Sequence, residues 1–163
     1  MKELTLENSN KVVIVDDHNF GVLSKFRWYA LGRDGHIYRM VKQGLWESLP
    51  NTIFGKPGMY DHKDLNQLNN LESNLRPSNY SLNNANRTKI RFKCTSKYKG
   101  VTWHKRIRQW QSRVGFNKKR LHLGYFDVEH KAAVAYDVKA KELFGEHSRL
   151  NFPVLRSWES AIC

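Results

Sequence analysis

Three stretches in the second half of the chain alternate apolar and polar positions with a period of two. Val101 and Trp103 alternate with Thr102 and His104; Trp110, Ser112 and Val114 alternate with Gln111 and Arg113; Leu121 and Leu123 alternate with Arg120 and His122. Successive side chains of a strand point to opposite faces, so this period predicts half-buried strands over 101–104, 109–115 and 119–123. Arg106-Ile107-Arg108 and Asn117-Lys118-Lys119 fall between them as turns. The pattern then becomes helical. Asp127 as N-cap, Glu129 in the first turn and Gly145 just past the end predict a helix to about Phe144. Ala132, Ala133, Ala135 and Ala140 let that helix lie close on a sheet. The expected unit is a three-stranded antiparallel sheet backed by one helix, with its other face free.

The first half is less regular. Lys11-Val-Val-Ile-Val15 is β-branched and bounded by Asp16-Asp17, which predicts a buried strand ending in a turn. Phe20, Leu23, Phe26 and Trp28 predict a short helix or turn. Residues 28–31 and 37–41 read as strands of a hairpin around Gly32-Arg33-Asp34-Gly35. Two prolines and two glycines within 49–60 predict connections with at most a short helix. From Asp64 to Arg87 the Asn- and Ser-rich sequence predicts a turn-rich loop leading into a small helix after Pro77.

Charge divides the chain further. Residues 1–83 hold 10 Lys and Arg against 9 Asp and Glu, whereas 84–163 hold 18 against 6. Residues 84–126 carry thirteen Lys and Arg with no Asp or Glu, interleaved with Phe92, Tyr98, Trp103, Trp110, Phe116, Tyr125 and Phe126. Such a block is the footprint of a polyanion partner. A basic run also serves as a solvated face or meets an anionic membrane; the aromatic interleaving and strand alternation favour nucleic acid. With 40% hydrophobic residues over 163, the chain is globular, either as one ordinary domain or two small ones. No apolar run approaches the roughly 20 residues of a membrane helix, and the N-terminus lacks a signal-peptide profile, so an intracellular protein is expected. Two cysteines, Cys94 and Cys163, without a Cys-x-x-Cys pair, exclude a disulfide scaffold and a cysteine zinc site.

The segment Asp61-His62-Lys63-Asp64-Leu65-Asn66-Gln67-Leu68-Asn69-Asn70-Leu71-Glu72-Ser73-Asn74-Leu75-Arg76, with Asn83 downstream, gathers carboxylates, an imidazole and amide oxygens. Asp and Asn oxygens suit a hard divalent cation, and a neutral His suits a general base near pH 7. On residue types alone the same stretch also reads as an ordinary Asn-rich surface loop. Its pattern Asp-His-x-x-x-Asn-x-Leu-x-Asn-x-x-x-Asn-Leu-Arg resembles the core motif of HNH homing endonucleases of phages and mobile introns. That resemblance implies a ββα-metal core over about 49–87 in which His62 activates water and Asn74 holds the loop that positions it. Asp61 and Asn83 would coordinate one divalent ion, Mg2+ or alternatively Mn2+, at the scissile phosphate. The N-terminal Val-Val-Ile-Val-Asp-Asp and Leu-Ser-Lys-Phe-Arg-Trp also resemble the region preceding that motif. Two departures, Pro50-Asn51 in place of a His-Arg pair and Tyr80 in place of a His, lie outside those four positions.

The basic half resembles the Apetala/ethylene-response-factor DNA-binding domain through Ser96-Lys97-Tyr98-Lys99-Gly100-Val101, Leu121-His122-Leu123-Gly124-Tyr125-Phe126, Ala132-Ala133-Val134-Ala135-Tyr136-Asp137 and Leu150-Asn151-Phe152-Pro153. By that resemblance Lys99, Thr102, His104, Arg113, Arg120 and His122 lie on the exposed sheet face. Several are weaker base readers than Arg, so the plant recognition sequence does not transfer. Arg106 and Arg108 in a lengthened hairpin, with Lys118 and Lys119, are expected at phosphates. Trp103 and Trp110 read as core aromatics by their alternation.

The expectation is therefore an α+β protein. A small N-terminal β region and HNH core occupy 1–83, and a basic linker over 84–97 carries Arg87, Lys89, Arg91, Lys93 and Lys97. The Apetala-like domain spans 98–153, followed by a tail over 154–163. The function expected from the resemblances is a metal-dependent endonuclease nicking or cleaving double-stranded DNA, phage-encoded and cytoplasmic in a bacterial host. It would act as a monomer or weak dimer with no membrane and no small-molecule cofactor. The competing reading is a non-catalytic, sequence-specific DNA-binding regulator on a degenerate HNH scaffold. RNA is a weaker third partner, because the exposed face lacks the surface aromatics expected of RNA platforms.

Overall fold

The β-branched run of the first half lies within β2 (Ser9–Val15), which pairs antiparallel with β1 (Lys2–Leu6). The computed structural model describes residues 1–32, 35–88 and 94–153. They fall into two compact units, Met1–Asn79 and Tyr80 onward. The boundary thus lies ahead of the expected one, and the small helix after Pro77 belongs to the second unit.

In the first unit, Leu4, Leu6, Val13 and Val15 of the β1–β2 ribbon face one core with Leu23, Trp28, Ile37 and Leu49. Burial of such side chains contributes about 1.5–3 kcal/mol each. The expected turn after Val15 is helix α1 (Asp17–Leu23), and the Trp28 indole N–H donates to Leu23 O at 2.9 Å, satisfying the polar atom of a fully buried ring. The predicted hairpin forms from β3 (Tyr29–Leu31) and β4 (His36–Lys42), with Arg33 and Asp34 of its turn outside the described residues. A third strand, β5 (Leu45–Ser48), extends this sheet. Helix α2 (Leu49–Phe54) follows, opened by the Ser48 hydroxyl accepting from Asn51 N and by Pro50, and closed by Gly55 at φ 59°.

Strands β6 (Tyr60–His62) and β7 (Leu75–Pro77) pair antiparallel, with Asp61 opposite Arg76. The loop between them is ordered by its own side chains. Asp64 Oδ1 accepts from Asn66 N at 2.8 Å and Asn74 Nδ2 at 2.9 Å, and Oδ2 accepts from Asn69 Nδ2 at 2.8 Å. Burial opposes ionisation of Asp64, but these donors outweigh it and hold its carboxyl below the ordinary 3.8. A depressed carboxyl contributes stability that is complete above the unfolded value and lost as pH falls through the folded one. Asp64→Asn replaces an acceptor with a donor facing Asn69, so the first unit should lose about 1 kcal/mol at pH 7. Urea unfolding at pH 7 and pH 3 checks this: the gap between parent and variant should shrink at the lower pH.

The second unit opens with α3 (Tyr80–Asn86) and continues into β8 (Val101–His104), β9 (Gln109–Phe116) and β10 (Lys119–Phe126). The sheet order is β10-β9-β8, antiparallel throughout, and α4 (Glu129–Phe144) backs it. The three predicted strands and the helix are all present, and the α+β character with antiparallel sheets holds. Val114, Tyr136, Ala140 and Phe144 form one buried cluster joined by Ala85 of α3, and Val101, Ala132 and Ala133 form another. The N-cap differs from expectation: Val128 occupies it without a side-chain bond, while Asp127 Oδ1 accepts from Gln109 Nε2 at 2.6 Å at the sheet edge. After the helix, Asp137 pins the returning chain. Its fully buried carboxylate accepts from Asn151 N, Asn151 Nδ2 and Phe152 N at 2.8–2.9 Å. Asn151 in turn accepts from Lys99 N at 2.7 Å and donates to Lys99 O at 3.2 Å, tying Leu150-Asn151-Phe152 to the entrance of β8.

Candidate nucleic-acid interface

Because α4 covers one face of the sheet, the alternate positions of β8, β9 and β10 form the other. Cross-strand register sets Thr102 opposite Gln111, Gln111 opposite Tyr125, Arg113 opposite His122, and Gly115 opposite Arg120. A strict period of two would turn Tyr125 toward the helix with Leu121 and Leu123. A bulge between His122 and Gly124, where Gly124 adopts φ 133°, resets the register and returns Tyr125 to the outer face. At the centre, Gln111 Nε2 donates to the Tyr125 hydroxyl at 3.3 Å and lies 3.3 Å from His122 Nδ1. The Tyr125 ring sits between two imidazoles, 5.4 Å from His104 and 4.6 Å from His122. Hydrogen-bonding groups here are oriented by their neighbours.

Both ends of β9 carry cations. At one end, Asn117 and Lys118 both take positive φ, 48° and 61°, the pair of left-handed residues that a two-residue hairpin with the right twist requires, and Lys118, Lys119 and Arg120 are exposed there. At the other, Arg108 N donates to His104 O at 2.8 Å and Arg108 takes φ 56°, closing a turn that exposes Lys105, Arg106 and Arg108. The face is therefore a polar and aromatic strip between two basic turns. Trp103 and Trp110 pair at 5.1 Å, with Trp110 packed on the Val101 cluster.

Of the residues expected at nucleic acid, Thr102, His104, Arg113, Arg120 and His122 lie on this face and Arg106, Arg108, Lys118 and Lys119 in its turns. Gln111 and Tyr125 join it without having been singled out; the glycine inside the Leu-Gly-Tyr strand was the available signal for the second. Lys99 differs. Its ammonium donates to the main-chain oxygens of Ala85, Arg87 at 2.7 Å and Asn84 at 3.2 Å, closing the C-terminal end of α3. Burial, then the nearby Arg149 charge, push its pKa down to about 8 against the opposing pull of Asp137. Lys97 lies with Nζ 5.1 Å over the Tyr98 ring, and Arg87 follows α3. Lys89, Arg91 and Lys93 lie outside the described residues.

The residues expected to be catalytic are distributed as follows. His62 is buried on β6 with Nε2 3.1 Å from Asn70 Oδ1; burial pushes its pKa down, partly offset by that hydrogen bond. Asp61 Oδ2 accepts from two guanidinium nitrogens of Arg76 at 3.0 and 2.7 Å, both side chains being largely buried. Asn74 belongs to the Asp64 loop, accepting from Asp64 N at 3.2 Å and donating to Asn69 O at 2.7 Å. Asn83 lies on α3 in the second unit.

No family model matches the chain. Among curated proteins, the chain is similar to the AP2-like ethylene-responsive transcription factor PLT2 of Arabidopsis thaliana, 41% identical over 63 residues that make up 37% of this chain and 11% of that protein. It is similar to APETALA2-like protein 2 of Oryza sativa subsp. indica, 40% identical over 58 residues, 36% of this chain and 13% of that protein. A longer alignment joins it to ethylene-responsive transcription factor WRI1 of Arabidopsis thaliana, 28% identical over 121 residues, 73% of this chain and 27% of that protein. The chain thus spans about a quarter or less of the length of these relatives. They support an AP2/ERF-like DNA-binding domain here.

The endonuclease expectation is corrected on these findings. The relatives are named as transcription factors, which points away from an enzyme. The Asp61 carboxylate, expected on a metal ion, is paired with Arg76. The expected Mg2+ or Mn2+ cofactor falls with the activity, since the relatives are named as transcription factors; among the described residues no three His, Cys, Asp or Glu side chains are grouped to hold a metal ion. A phage origin in a bacterial cytoplasm likewise finds no support in these plant relatives. Among the described residues no helix is long and apolar enough to cross a membrane.

Proposed function

We propose that the chain is a sequence-specific, double-stranded DNA-binding regulator that reads DNA with the outer face of the β8–β10 sheet. The observation that carries this reading is the strip of Thr102, Gln111, Arg113, Arg120, His122 and Tyr125 between two basic turns, within a stretch free of acidic residues. Eight residues of β9 at about 3.3 Å each span about 25 Å, enough to cross a major groove of about 12 Å and reach the phosphates on both sides. Arg113 and Arg120 then face base edges, where a guanidinium pairs with guanine, while Gln111 holds the Tyr125 hydroxyl from beneath. Lys105, Arg106, Arg108, Lys118 and Lys119 take phosphates and set the register of the sheet on the duplex. The relatives' names as transcription factors support the same partner.

The test is selection of bound duplexes from a random-sequence library at about 150 mM salt, where screening weakens purely electrostatic contacts. Enrichment of one motif over successive rounds supports the reading. Recovery of duplexes without any enriched motif overturns it, as does a competition in which single-stranded RNA displaces the recovered duplexes.

A further inference from the structure

The outer face of the β8–β10 sheet offers amide, hydroxyl, imidazole and guanidinium groups, with one apolar exception. Among the described residues of the three strands, Tyr125 is the one large hydrophobic side chain that is exposed, at 37%. Its polar end is turned inward: Gln111, a buried residue, donates to the hydroxyl at 3.3 Å, so the tip of the phenol is held down on the sheet. What remains on the outside is ring carbon. The ring is also fixed from the sides. The His104 imidazole meets it at 84° with centroids 5.4 Å apart, and the His122 imidazole leans on it at 59° and 4.6 Å. A side chain already immobilised loses little rotamer freedom when a ligand arrives, so even a small apolar contact counts there.

Hydrogen-bond donors and acceptors line the major groove together with one apolar group, the C5-methyl of a pyrimidine. We propose that the Tyr125 ring is the specificity-determining contact for such a methyl group, carried by thymine or by 5-methylcytosine in the bound duplex. This inference rests on the DNA-binding reading above and adds one base contact to it. Gln111 acts on that contact only through the ring it holds, and is a positioning residue. The irregularity in β10 acquires a purpose as well. Strict alternation would turn the ring toward α4, and the bulge between His122 and Gly124 sets it on the DNA side.

The experiment measures binding of the full chain to the selected duplex by fluorescence anisotropy. Each thymine in turn is replaced by deoxyuridine and, in a second arm, each cytosine in turn by 5-methylcytosine. Both replacements change the C5-methyl alone and keep the pairing edge. The parent should lose about fourfold at one thymine, which assigns that base, or gain about fourfold at one methylated cytosine, which assigns the other source; fourfold is the worth of one methyl group taken out of water. Tyr125→Ala should bind duplexes with and without that methyl equally well. Tyr125→Phe should keep the parent's ratio, since the ring carbons stay and only the hydroxyl goes. Each comparison is a ratio within one variant, so any unfolded fraction cancels. A parent indifferent to every methyl group, a Tyr125→Ala variant that keeps the ratio, or a Tyr125→Phe variant that loses it overturns the contact. Selection that enriches no motif removes the regulator reading together with the contact, whereas an enriched motif without methyl dependence removes the contact alone.

Discussion

Gly100→Ala should destabilise the second unit by roughly 2–4 kcal/mol, from overpacking and left-handed strain together. Gly100 sits at the entrance to β8 with φ 77°, a conformation costly for any residue with a side chain. A methyl group there would lie 1.9 Å from Tyr136 Cδ2 and 2.5 Å from Cε2. Tyr136 cannot yield freely, since it is buried with Val114, Ala140 and Phe144 between sheet and helix. Either the ring leaves its place, opening the core, or the strand entrance moves and loosens the Lys99–Asn151 tie. Calorimetry should show the transition of the second unit lowered by about 10 °C or more. Gly115→Ala is the control, because its added methyl on the outer face meets nothing closer than 4.0 Å. A Gly100→Ala variant as stable as the parent would contradict this packing.

Arg113→Ala and Arg120→Ala should each weaken binding to the selected duplex by about tenfold or more, the cost of one base contact of about 1–3 kcal/mol. The loss should be selective, because a base contact contributes little on a scrambled duplex. Arg113 is placed opposite His122 on adjacent strands and Arg120 opposite Gly115, which leaves open space beside its guanidinium. Lys118→Ala and Lys119→Ala in the neighbouring turn should behave differently, weakening all duplexes alike and lowering the salt slope by about one for each phosphate no longer neutralised. Fluorescence anisotropy over a salt series separates the two classes. Equal losses on selected and scrambled duplexes for Arg113→Ala would move that residue to the phosphate backbone.

The second unit was legible because its strands alternate cleanly and its helix ends on Gly145, so local pattern and tertiary burial agree. Four strands of the first unit escaped prediction: β1, although Leu4 and Leu6 alternate there with exposed Glu3 and Thr5, and three that the pattern does not mark. In β5, Leu45 and Trp46 are adjacent and both exposed, without alternation, and β6 and β7 have three residues each. Those two are held by the Asp64 side-chain network across their loop, which replaces the long ladder a sequence pattern could reveal. The same network explains why the asparagines at 66, 69 and 74 looked like chemistry: their amides order a turn around one carboxylate. Tyr125 was hidden by a single-residue bulge that inverts strand parity. Lys99 was misplaced because its carbonyl partners lie 12 to 15 positions earlier in the chain, a distance no local rule spans.

The most direct test of the outer sheet face as the DNA-reading surface is a heteronuclear NMR titration of the full chain with the selected duplex. The Gln111, Arg113 and Arg120 side-chain signals and the His104, His122 and Tyr125 ring signals should shift or broaden first, together with amides of the 105–108 and 117–119 turns. Signals from the exposed side of α4 should stay in place. Shifts centred on α4 or confined to residues 1–79, with the sheet face unmoved, would contradict it.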